Sequence, residues 1–252
     1  MGVGSVRARS RHPHDFMRID VLPRWRHRGV GSGIYEALLD RAPGPFSVRE
    51  MLSDHPTVDF YTNRGFVTGE VATEGRIDPA DPEAAIWLNG RLEADTRGFV
   101  ITPTRDAGMT DFEIARAVDE MYVWCHPHSP PAPLSDDAAT RVYLSTWRRQ
   151  SGAVATIDGE TVGVGLLTRS PFSDDPGVAH LVWCGVRQPI QPLAQEITEA
   201  LLAQCLDVAR RMRWVVDVEV NHPHEDLASA VERVPGARLF RDLTLLVSSY
   251  GG

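Results

Sequence analysis

Between Arg26 and Ser32 the chain reads Arg-His-Arg-Gly-Val-Gly-Ser: two fixed cations, then glycines that leave the backbone bare. Such a stretch does chemistry only if its amides converge, so the flanking elements matter. The alternating apolar residues Met17, Ile19 and Val21 predict a strand that stops at Pro23, which cannot continue a ladder. From Gly33 onward Ile34, Leu38 and Leu39 recur at helical spacing, which places the glycines on a helix N-terminus. There the first N–H groups and the positive end of the helix dipole favour an anion, and Gly29 and Gly31 let the backbone come close to it. With Arg26 and Arg28 alongside, the stretch reads as a cradle for a pyrophosphate on the amides of Arg28, Gly29, Val30, Gly31 and Ser32.

Further along stands Phe60-Tyr61-Thr62-Asn63-Arg64-Gly65-Phe66. Two rival phosphate sites drop out. The glycines lack the G-x-G-x-x-G spacing of a dinucleotide turn, and a chain without lysine cannot form a P-loop. Arg26 to Gly31 fits R-x-x-G-x-G and Phe60 to Phe66 fits F-Y-x-x-x-G-F. In this order, after a strand ending in V-x-P, the two motifs resemble those of the GCN5-related N-acetyltransferase (GNAT) family.

The resemblance implies an α/β fold of GNAT-like units, with mixed, mostly antiparallel sheets flanked by helices. It also implies acetyl-CoA as co-substrate in a V-shaped gap between two parting strands, and an amine-bearing small molecule or peptide as acceptor. The main chain of Ile19 and Val21 would pair with the pantetheine arm, and the Val21 N–H would polarise the thioester carbonyl. Arg26 would be the counter-charge of the diphosphate. Asp54 stands where family members often carry an Asn that contacts the cofactor arm. Tyr61 is the candidate general acid for the departing thiolate, because a phenol with a pKa of about 10 is roughly matched to a thiol. The other reading of Tyr61 is simple packing beside Phe60 and Phe66.

No residue stands out as general base. Asp20 alternates away from Ile19 and Val21, His14 and Asp15 lie near the expected acceptor end, and a water chain would serve as well. His12-Pro13-His14, His126-Pro127-His128 and His222-Pro223-His224 could each offer two imidazoles on one side of an extended chain. No carboxylate or cysteine recurs at a fixed spacing from them, so no metal is expected. Trp25 precedes the glycine loop, either propping it or lining a ligand mouth; Trp87, Trp124, Trp147, Trp183 and Trp214 are read as structural, on core faces or interfaces.

A formal charge of −8 from 26 basic and 34 acidic residues argues against a nucleic-acid surface, and the Arg148-Arg149 and Arg210-Arg211 pairs read as solvated helix faces. No uncharged apolar run is long enough to span a membrane, and the first residues lack a secretory signal, so a cytoplasmic location is the default. Three cysteines without C-x-x-C spacing argue against a disulfide framework.

The positioning elements recur. Gly2-Val3-Gly4 resembles Gly163-Val164-Gly165, Ile34 to Leu39 matches Ile197 to Leu202, and Asp54-His55-Pro56 matches Asn221-His222-Pro223, in one order. This predicts a tandem of one fold unit: a cofactor domain over 1–78, a helical connector over 79–98 and a degenerate domain over 99–252. The first copy lacks roughly 60 residues that precede the glycine strand in the second. The second carries Pro189, Pro192 and Ala194 where the first has Arg26, Gly29 and Gly31, and Ala228 near the place of Tyr61. A bare strand near Gly2 to Arg9 suggests a homodimer.

Among the elements, Thr110 and Glu113 predict a capping box and Asp158-Gly159 a type I′ hairpin turn. Asp136 to Gln150 reads as one helix. Competing functions are a non-catalytic CoA-binding or interaction protein and, less favoured, a histidine metal module.

Overall fold

The computed structural model describes residues 1–9, 11–42, 44–94, 96–126, 131–144, 147–169, 175–187, 192–221 and 225–248, with only the backbone for 147–150. The chain divides into two compact units. One comprises Met1–Ala72, His126–Ala132 and Asp242–Gly252; the other comprises Thr73–Cys125 and Pro133–Arg241.

In the first unit β1 (Gly2–Arg7) runs antiparallel to β2 (Asp15–Val21), in register from Gly2↔Val21 to Arg7↔Phe16. Next to β2 lies β3 (Phe46–Met51), parallel to it. Residues Asp242 onward of β10 (Arg238–Ser248) pair antiparallel with β3, from Leu243↔Met51 to Val247↔Ser47, and the start of β4 (Phe66–Ile77) follows. Two helices, α1 (Val30–Leu39) and α2 (His55–Thr62), complete the unit. The period of two in the strands decides what they cover. Met17, Phe46 and Val48 join Leu38, Tyr61, Phe66 and Leu246 in one core, with Ile19 and Ile34 packed against it. Gly4 is required by that packing, since a Cβ there would stand 2.3 Å from Ile34 Cγ2.

The second unit holds β5 (Val100–Pro103), β6 (Trp147–Ile157), β7 (Glu160–Arg169), β8 (Val178–Val186) and β9 (Val215–Asn221). All the pairings from β5 to β8 are antiparallel, and β8 with β9 is parallel. Its helices are α3 (Pro82–Leu92), α4 (Asp111–Trp124), α5 (Asp136–Leu144), α6 (Ala194–Met212) and α7 (Glu225–Glu232). Leu201, Leu202 and Cys205 of α6 pack in a core with Ala153, Leu167 and Val216; Ile114 and Val118 of α4 pack with Val164, Leu166 and Trp183 in another.

The capping box forms at Thr110 and Glu113, and Asp158 and Gly159 turn the β6–β7 hairpin with φ of 51° and 82°, the two positive values a type I′ turn requires. Helix Asp136 to Gln150 is corrected: it ends at Leu144, and from Trp147 the chain is strand, paired at Trp147↔Thr168 with the long β7. A helix-compatible composition yields there to a tertiary ladder. Both stretches β1-β2-α1-β3-α2-β4 and β7-β8-α6-β9-α7-β10 follow one element order.

Candidate functional site

Strands β2 and β3 pair over two positions only, Asp15↔Phe46 and Phe16↔Ser47, and then part. What faces the parting follows from β1. Leu22 N–H donates to Met1 O at 3.1 Å, so alternate residues back along the strand, Asp20 and Arg18, also turn their main-chain groups to β1. Ile19 and Val21 turn theirs the other way, into the widening gap. Both residues named as the added-strand partners of a ligand therefore lie at a strand edge beyond the last β2–β3 pair.

At the wide end of the gap the chain makes a 3-10 turn over Pro23–Trp25 and a loop in which His27 and Gly29 both take positive φ, 58° and 79°. Histidine in this region is uncommon and costs about 1 kcal/mol or more, so the loop stores strain where it bends round. Gly29 is the N-cap of α1 and gives it no side-chain cap; the first helical hydrogen bond is Gly33 N–H to Gly29 O at 3.0 Å. The amides of Val30, Gly31 and Ser32 precede that bond, and so face outward from the helix end. Gly31 lies beside Phe60 and Val21. A Cβ there would meet Phe60 Cε2 at 3.4 Å and Val21 Cγ2 at 3.7 Å.

Three of the loop's polar side chains, those of Arg26, Arg28 and Ser32, are held. Arg26 Nε donates to Val21 O at 3.2 Å, tying the loop back to its strand, and the Arg28 guanidinium lies 5.6 Å over the Trp25 ring. Trp25 thus props the loop. Ser32 Oγ accepts from Arg64 Nη2 at 2.8 Å.

Tyr61, on α2, is 1% exposed and packs edge-on against Phe60 at 5.1 Å and tilted against Phe66 at 5.3 Å. Its hydroxyl has no hydrogen-bond partner of full geometry among the described residues, although the Ile19 N–H faces it. Burial, then the charges of Glu50 and Asp20, push its pKa above the ordinary phenol value, so it holds its proton at neutral pH, and the close match to a thiol expected from the sequence is corrected: burial makes this phenol the weaker acid. Asp54 is the N-cap residue of α2 without a side-chain cap; its carboxylate accepts from Thr57 Oγ1 at 2.8 Å.

Two residues of this region went unread in the sequence. Arg64 sits at a variable position of the F-Y-x-x-x-G-F stretch, where a helix-end arginine passes for a solvated one. Glu50 gave a signal: it falls in phase with Phe46 and Val48 on the buried side of β3. Burial, then Asp54 and Asp20, raise its pKa to about 7, with Arg18 opposing. The remaining acid–base candidates are dispersed. Asp20 lies on the exposed side, paired with Arg18 at 2.7 Å, while His14 and Asp15 stand at the narrow, still paired end of β2. His126 is buried, 3.8 Å from Glu70 Oε1. His128, His222 and His224 lie outside the described residues, as do Pro189 and the side chains of Trp147, Arg148 and Arg149. Among the described residues no group of His, Cys, Asp and Glu could hold a metal ion, and no helix is long and apolar enough to cross a membrane.

No protein-family model matches the sequence, and no curated protein matches it. Solved structures do. A GCN5-related N-acetyltransferase from Sphaerobacter thermophilus aligns with a TM-score of 0.73 at 19% identity, over 98% of this chain and 76% of that one. A tandem GNAT protein from the clavulanic acid biosynthesis pathway aligns at 0.55 and 16% identity, over 100% and 84%. A GCN5-related N-acetyltransferase from Kribbella flavida aligns at 0.53 and 14%, over 98% and 91%. The mixed, mostly antiparallel sheets and their flanking helices are those of the GNAT fold.

Proposed function

We propose that this chain, folded as a GCN5-related N-acetyltransferase, is an acetyl-CoA-dependent N-acetyltransferase acting on an amine of a small molecule or peptide. Its cofactor site belongs to residues 1–78, joined by 79–98 to a scaffold of 99–252. The observation that carries this reading is the parting of β2 from β3 beside a helix that begins with bare amides.

In this reading the amides of Arg28 to Ser32 hold the diphosphate, with Arg26 and Arg28 adding charge. The main chain of Ile19 and Val21 binds the amide-bearing arm like an extra strand, and Asp54 borders it. Val21 N–H donates to the thioester carbonyl oxygen as negative charge gathers there. The amine nitrogen bonds to the carbonyl carbon and gives its surplus proton to water; the C–S bond breaks, and Tyr61 passes its proton to the sulfur. The buried hydroxyl of Tyr61 acquires in that complex the partner it otherwise lacks.

Acetyl-CoA should raise the melting temperature of the wild type and much less that of Gly29→Pro. Thiol release with a panel of amines then separates an enzyme from a protein that only binds CoA. No thermal shift with acetyl-CoA would sink both.

A further inference from the structure

We propose that Arg64 is a third cation of the diphosphate site, beside Arg26 and Arg28, acting through Ser32 as a positioning residue; this rests on the reading of the α1 cradle given above. The side chain is held at three points. Nη1 donates to Phe60 O at 2.6 Å, Nη2 donates to Ser32 Oγ at 2.8 Å, and the guanidinium lies 3.7 Å over the Phe60 ring. Tyr35 flanks it at 5.4 Å. The other face of this arrangement is the cradle itself, since Phe60 is the ring that Gly31 approaches.

Closing the end of α2 needs only the contact to Phe60 O. The second arm of the fork reaches instead to the first turn of a different helix, at the hydroxyl beside the bare amides. Because Arg64 occupies an acceptor site of Ser32 Oγ, the Ser32 proton is left to donate, and a neighbouring cation strengthens that donation. Guanidinium keeps its charge at any working pH and is pre-organised by stacking, so it adds a fixed positive charge one hydrogen bond behind the amides. The same contacts fix α2, and with it Tyr61, against α1. On the same helix Tyr61 carries a buried hydroxyl without a hydrogen-bond partner of full geometry. The class of ligand is a diphosphate, free or carried by a nucleotide.

Calorimetry on the full chain tests this with inorganic pyrophosphate, acetyl-CoA and S-acetylpantetheine, which has the thioester arm without the diphosphate. Arg64→Gln should weaken pyrophosphate and acetyl-CoA about tenfold and leave S-acetylpantetheine unchanged, and the gap from wild type should narrow in high salt. Arg64→Lys should recover part of the loss. Ser32→Ala should weaken pyrophosphate severalfold, and adding it to Arg64→Gln should cost little more, as expected for two groups acting as one. If Arg64→Gln does not fold, Ser32→Ala and Arg64→Lys decide alone. Unchanged pyrophosphate binding in these variants, or equal loss for S-acetylpantetheine, would overturn the assignment. Arg64-dependent binding of pyrophosphate without binding of acetyl-CoA would uphold the clamp and remove the acetyl-transfer reading. Acetyl-CoA binding indifferent to Arg64 would do the reverse, and a wild type that binds neither removes both.

Discussion

Helices α1 and α6 occupy the same place in the repeated element order, each following a strand that starts parallel to the next and then leaves it. In the second unit β8 and β9 pair at Val178↔Val215, Ala179↔Val216 and His180↔Asp217 and continue without further pairing. The helix starts differ. Gly29 holds a left-handed cap at α1, whereas α6 begins after Pro192 with Leu193 at an ordinary φ of −81°; neither start has a side-chain cap, and the first bond of α6, Ile197 N–H to Leu193 O at 2.9 Å, leaves its first amides without an intrahelical acceptor as at α1. Only Leu38 of α1 is fully buried, while α6 buries most of its length, from Ala194 to Ala209. Even the matched acid has changed role: Glu36 is exposed, and Glu199 is 2% exposed, held by Arg91 at 2.8 Å, by Arg233 and by Gln195. Strand parting is thus a property of the fold. Ligand chemistry needs in addition a helix end that a ligand can reach, and α6, buried from Ala194 onward, differs from α1 there.

The contrast can be broken most forcefully from the scaffold side. Glu199→Ala strands two arginines around a buried site and should cost about 3 kcal/mol in denaturant unfolding, without changing acetyl-CoA affinity. A loss of affinity as large as the loss of stability would erase the division of labour. On the other side, Tyr61→Phe should lower turnover about a hundredfold with affinity intact. It should leave stability level or raise it by as much as ~1 kcal/mol, because it deletes a buried hydroxyl that has no partner. A clear drop in melting temperature would return Tyr61 to the role of a packing residue.

Gly29→Pro cannot reach φ of 79° and should weaken acetyl-CoA at least about tenfold, equivalent to ~1.4 kcal/mol. Pro192→Gly, the reciprocal change, should create no site at α6. A pH dependence gives a further test. Glu50, raised from 4.5 to about 7, binds its proton more tightly in the folded state than in the unfolded one. Its contribution therefore declines as pH rises from about 4.5 to 7. Glu50→Gln should match wild type below pH 4.5 and exceed it above pH 7 in melting temperature.

Local chemistry was legible in the sequence: the glycine loop between an alternating strand and an amphipathic helix, the capping box at Thr110, the turn at Asp158-Gly159. So was the recurrence of elements, because Ile34 to Leu39 and Ile197 to Leu202 repeat one helical face. What escaped depends on distant partners. The end of β10 enters the first unit beside β3, and His126–Ala132 joins that unit too, neither with any local mark. Trp147 to Gln150 continued a helical pattern until the ladder with β7 claimed it. Arg64 and Glu199 look like ordinary charged helix residues, and only their contacts across 32 and 34 positions give them work.

Amide hydrogen exchange with and without acetyl-CoA asks the central question residue by residue. Exchange at Val30, Gly31 and Ser32 should slow about tenfold or more on binding, with the first amides of α6 unmoved. Slowing at α6 instead, or bound acetyl-CoA that leaves the start of α1 unprotected, would contradict the cradle.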